Sequence, residues 1–134
     1  MDIHEVEWMI TMAEAQLVLE GERMTQLEAK FIRRRRKVDR ARHRRNKAVR
    51  LQKRYTRLVD RHVGNDRREE AERELSHFRL HAFRKGMHLE IAKQKRLNAW
   101  IDLELQSFVL EDIDFILNRL DRVLARHRRL LQVE

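Results

Sequence analysis

The chain has no proline and no cysteine, and its only glycines are Gly21, Gly64 and Gly86. Without proline, nothing in the sequence removes a backbone donor or fixes φ, so long uninterrupted helices are open to it. Without cysteine, disulfides and thiolate-ligated zinc are excluded, a usage that suits a reducing compartment. Aromatic residues make up only 6% of the chain, with one tyrosine. No apolar run approaches the ~20 residues that a membrane-spanning helix needs. The first residues, MDIHEVEW, carry acids where a secretory leader carries bases. A cytoplasmic, all-helical protein without membrane insertion is the expectation.

What is present is charge and a heptad. Charged residues make up 40% of the 134 positions and give a net +9, against roughly a quarter charged in ordinary domains. Apolar residues recur every 3.5 positions, which is the coiled-coil signature. Ile10, Leu17, Met24, Phe31 and Val38 hold one seam position, and Ala13, Leu27, Ala41, Ala48 and Tyr55 the other. The pattern then repeats. Leu75, Leu89, Leu103, Leu110, Leu117, Leu124 and Leu131 alternate with Phe78, Ala92, Ala99, Ile113 and Leu120. Between the copies sits Gly64-Asn65-Asp66. Gly64 and Asn65 suit a left-handed helix exit, and Asp66 with Glu69 suits the next N-cap.

These signals predict a long antiparallel two-helix coiled-coil hairpin in a single domain over 1–134. Helix one is expected over about 2–62, the turn over 63–66 and helix two over about 67–132. At ~1.5 Å per residue, each helix would be about 90 Å long. A break at Gly21, giving a three-helix bundle at the base, is the alternative. A turn centred near residue 65 pairs positions that sum to about 130. Ala13 then meets Leu117, Tyr55 meets Leu75, Arg34 faces Arg96 and Arg45 faces Lys85. Like charges in a seam cost stability unless the side chains reach outward.

Charge is sorted along the chain. Residues 1–22 hold six acids and no Lys or Arg, and residues 97–118 hold five acids and no base. Residues 23–61 hold 17 basic and three acidic residues. The run RRRRKVDRARHRR at 33–45 spreads arginine over every helix face, so it would steer an anionic partner in a salt-dependent way. A solvated helix face is the plainer account of it. No aromatic residue interleaves it to stack on bases, which weighs against nucleic acid as the partner. The basic stretch Arg119–Arg129 faces the acidic first ten residues in this register and is expected to hold the termini together.

Apolar residues exceed what a two-helix seam can use. Trp8, Met9, Met12, Val18 and Leu19 lie off it, as do Trp100, Ile101, Leu105, Phe108, Val109, Phe115, Ile116 and Val123. A helix apolar on more than one side is buried on more than one side. The cover is either the chain itself, a second copy of it, or a larger assembly. His77 and His81 share a helix face but have no third ligand at metal spacing, so no metal and no cofactor is expected. The two serines lie outside any glycine-rich or nucleophile motif, and the acidic cluster Glu111, Asp112 and Asp114 sits on a helix without a cleft. No catalytic residues are assigned, and the protein is expected not to be an enzyme.

The second helix carries QKRLNAWIDLE at 94–104. This segment, within a helical hairpin, resembles the FliJ/YscO central-stalk family of flagellar and type III secretion export machines. A Lys/Gln/Arg-rich run leading into Leu-x-Ala-Trp is shared by that family. Leu97, Ala99 and Trp100 match it, and 34 residues follow. The arginine density and the breadth of apolar surface near the termini depart from the family pattern.

The resemblance implies a non-enzymatic stalk that couples a hexameric ATPase to a membrane export gate, with chaperones as further partners. It implies a cytoplasmic location, peripheral at the inner-membrane export apparatus. The geometry of a hairpin would then put Trp8, Ile10, Met12, Trp100, Phe115 and Leu124 at the ATPase end. It would put Arg34, Arg35, Arg36, Arg45, Arg54, Tyr55, Arg57 and Arg61 on the basic shaft and tip. The alternatives are a basic hairpin that binds nucleic acid and a homo-oligomeric structural coiled coil.

Overall fold

A computed structural model describes residues 2–62, 64 and 66–133. It is all-α, with two helices packed against each other as an antiparallel hairpin. Helix α1 spans Ile3–Arg61 and helix α2 spans Arg67–Val133. The N-terminus of α1 is closed by a reciprocal cap. The Glu5 N–H donates to Asp2 Oδ1 at 2.9 Å, and the Asp2 N–H donates to Glu5 Oε2 at 3.3 Å. This is a capping box built on Asp rather than Ser or Thr. The Glu5 backbone donor is the main reason that the Asp2 carboxyl is held below its ordinary pKa.

Between the helices, Gly64 takes φ +83°, a conformation that a side chain would strain. Asn65, the other residue expected to shape this exit, lies outside the described residues. Asp66 stands immediately before α2, whose first turn is acidic through Glu69 and Glu70. Acids there complement the partial positive charge of a helix N-terminus.

Helix α1 runs unbroken through Gly21, so the three-helix alternative does not hold. The Gly21 carbonyl accepts from Thr25 Oγ1 at 3.2 Å, and a Cβ built at Gly21 would meet nothing within 4 Å. One glycine in a helix interior costs about 0.5–1 kcal/mol, too little to break 59 continuous residues. Gly21→Ala is therefore expected to stabilise the chain by ~0.5–1 kcal/mol, read as a rise in melting temperature by circular dichroism.

The helix pair divides into two compact units. The first comprises 1–30 and 99–134, and the second comprises 31–98. In the first, Val6, Ile10 and Leu120 form a buried cluster against which Ala13, Leu117, Val123 and Leu124 pack. These layers follow the register expected from the turn, since Ile10 with Leu120 and Ala13 with Leu117 each sum to 130. Leu131, expected in the seam, is 58% exposed. The same register leaves it no facing residue, because α1 begins at Ile3. Among the described residues no ion pair joins Arg119–Arg129 to the first ten positions, and the contacts found there are apolar.

In the second unit, the buried seam residues are Val38 and Ala48 on α1 and Ala71, Leu75, Ala82 and Leu89 on α2. Tyr55 stacks its ring on Phe78, with centroids 4.5 Å apart, so its ring partner lies one helix turn from the expected Leu75. An offset aromatic stack gains more than an aromatic–aliphatic contact. The edge of the Phe78 pair is completed by His77, at 5.4 Å.

Candidate interaction surfaces

The heptad fixes which side chains face outward. In the first unit, α1 positions 8, 12, 15 and 19 lie opposite the seam, as do α2 positions 101, 105, 108, 112 and 115. Polar residues are expected there. Instead the α1 positions carry Trp8, Met12, Ala15 and Leu19, and the α2 positions carry Ile101, Leu105, Phe108, Asp112 and Phe115. Trp8 is 64% exposed and Phe115 65%, and the other large residues of both rows are also exposed. Trp100, Val109 and Ile116 widen the α2 row. No seam contact accounts for this surface, because it lies on the wrong side of each helix. It is framed by acid: the unit holds 14 acidic and seven basic residues.

Four of the six terminal candidates belong to this surface: Trp8, Met12, Trp100 and Phe115. The other two do not. Ile10 is part of the buried cluster and Leu124 packs against it. Both occupy seam positions, and a seam residue cannot also present itself to a partner. Val123, read from the heptad as off the seam, packs on the same cluster. Within Leu-x-Ala-Trp, Ala99 is buried at the helix interface while its neighbour Trp100 is exposed.

Among the described residues, one polar contact crosses the seam of this unit. Gln106 is 4% exposed. Its Nε2 donates to the Glu20 carbonyl oxygen at 2.9 Å and to Glu20 Oε2 at 2.6 Å. Both residues occupy heptad positions that the apolar count skips. Their signal in the sequence is that gap: Glu20 lies three residues after Leu17, and Gln106 three after Leu103. A buried polar pair of this kind fixes register at the expense of stability.

The second unit has the opposite charge, with 24 basic and eight acidic residues. Arg34, Arg45, Lys85 and Arg96 are half-buried in its seam. The Arg45 Nε is buried without a hydrogen-bond partner. Beside it opens a cleft of about 700 Å³, walled by Val49, Arg79, Phe83 and Met87. Phe83, Met87 and Ile91 are exposed on α2, an apolar strip that the sequence reading missed. They fall at heptad positions where arginines and histidines alternate with them, so no continuous apolar run announces them. Arg35, Arg36, Arg54, Arg57 and Arg61 are exposed on α1, whereas Tyr55 is half-buried in its stack.

Among the described residues no three His, Cys, Asp or Glu side chains gather as metal ligands, and no helix is long and apolar enough to cross a membrane. The arrangement defines a two-helix coiled-coil hairpin with an acidic, apolar-faced unit and a strongly basic one. No protein-family model, curated protein or solved structure matches the chain.

Proposed function

We propose that this protein is a non-enzymatic stalk or adaptor of a type III protein export apparatus, coupling a hexameric ATPase to a membrane export gate. The observation that carries the reading is the outward apolar face on both helices of the first unit. Large apolar side chains opposite a seam are covered by another molecule or cost solubility, and aromatic anchors such as Trp8 and Phe115 are favoured at interface centres. This face is the ATPase-docking end. The gate-facing part is the basic unit, where Arg45 and the exposed Phe83 and Met87 line one cleft. Chaperones are further candidates for the same surfaces. The resemblance at Leu97, Ala99 and Trp100 supplies the particular apparatus. It supports a cytoplasmic location, peripheral to the inner membrane.

Stimulation of the cognate ATPase by the purified protein tests the reading. The wild-type chain is expected to raise ATPase hexamerisation and turnover. Trp8→Ala/Phe115→Ala is expected to raise the concentration needed for half-maximal stimulation ~10-fold or more. Its melting temperature should stay unchanged, because both side chains lie outside the core. Leu124→Ala is the wrong probe, since it loosens the buried cluster. A wild-type chain without effect on the ATPase, or a folded double variant that stimulates fully, would sink the proposal.

A further inference from the structure

The seam of the basic unit holds a second cleft, of about 230 Å³, lined by Arg34, Lys37, His88, Ile91, Ala92 and Lys95. No acidic residue lines it. Arg34 and Lys37 come from α1, and His88 and Lys95 from α2, so cationic and N–H donor groups reach the cleft from both helices. Among the described residues none of the four has an ion pair or a side-chain hydrogen bond. Arg34 is half-buried, because it occupies a seam position, and half-buried Arg96 adds a further cation to the same helix interface. Lys93, between Ala92 and Lys95, is by contrast paired along its own helix with Glu90 at 3.3 Å.

We infer that this cleft is a binding site for a diphosphate group. Its donors have the chemistry for it: a planar guanidinium that bonds phosphate oxygens in pairs, two ammonium groups and an imidazole N–H. Its 230 Å³ gives room for a diphosphate, whose two phosphate groups can be met at once by donors from both helices. Ile91 and Ala92 give it an apolar wall but no aromatic platform, so a base attached to the phosphates would find no stacking partner. Bound there, a diphosphate supplies the countercharge that the seam lacks and ties α1 to α2. The site is independent of the export-stalk reading, and either can fail without the other.

Calorimetric titration of the full chain at constant ionic strength tests it. Pyrophosphate is expected to bind and to raise the melting temperature, as any ligand of the folded state does. Orthophosphate is expected to bind ~10-fold more weakly, having half the contacts. ADP separates the sources: its binding extends the site to nucleotide-borne diphosphate, and its failure beside bound pyrophosphate confines the site to the free ion. Arg34→Gln/Lys95→Gln should lose binding ~10-fold or more while keeping its helicity, since it relieves seam repulsion. Arg42→Gln/Lys47→Gln, equal in charge and exposed away from the cleft, should bind as the wild type does. No binding of pyrophosphate, equal affinity for orthophosphate, or equal losses in the two double variants would overturn the inference and leave only a general polyelectrolyte effect.

Discussion

Leu120→Ala is expected to destabilise the protein by ~2–5 kcal/mol. Leu120 is buried in one cluster with Val6 and Ile10, and Leu117, Val123 and Leu124 pack around it. A two-helix seam has no further layer that can move in to fill the space left by the lost side chain. The cost is therefore expected toward the upper part of the range that large-to-small core substitutions span. Urea denaturation followed by circular dichroism measures it. Phe115→Ala removes a larger side chain only five residues away. Because Phe115 lies on the outward face, the change is expected to stay within about 0.5 kcal/mol. Equal effects of the two substitutions would contradict the division between seam and surface on which the candidate docking face rests.

The second large effect concerns Gln106. Gln106→Ala removes both bonds to Glu20 and leaves a void in the seam. A hydrogen bond to a charged partner contributes ~1.5–3 kcal/mol, so a loss of that size is expected in the same denaturation experiment. Replacing both partners should behave differently. Glu20→Leu/Gln106→Leu fills the layer with apolar groups and is expected to melt at or above the wild-type temperature. What it should lose is uniqueness of register, because polar seam residues reject the misaligned pairings that an all-leucine seam tolerates. The chain has no native cysteine, so pairs introduced at Ala13 and Leu117 report register cleanly by crosslinking. Efficient crosslinking in the wild-type background and weaker crosslinking in the Leu/Leu background is the expected result. A Leu/Leu variant less stable than Gln106→Ala would show that the pair contributes stability rather than register.

The hairpin itself was legible before any coordinates. The doubled heptad and the Gly64 turn set the helix pair, its antiparallel sense and its pairing near a sum of 130, because each depends only on local periodicity and backbone preference. The outward apolar residues were legible for the same reason: once the seam positions are known, Trp8, Met12, Phe108 and Phe115 fall off them. The assignment of Ile10 and Leu124 to the docking surface was not sound, because both sit on the heptad and a heptad residue is spent within the hairpin. Val6 and Ala71 lie one heptad before Ala13 and Phe78, ahead of the first layers that the apolar repeat marks. Tyr55 was paired by register alone, whereas ring stacking drew it to Phe78.

The sequence by itself determined the two helices, the turn between them, the seam and the sorting of acid and base along the chain. These follow from spacing and composition, which act within a few residues. Only the tertiary structure decided that Gln106 bonds Glu20 across 86 positions, that the Arg45 Nε is buried without a partner, and that Arg34, Lys37, His88 and Lys95 line one cleft. Each depends on how a side chain from one helix lies against the other. Spacing along a single helix carries no record of that distance.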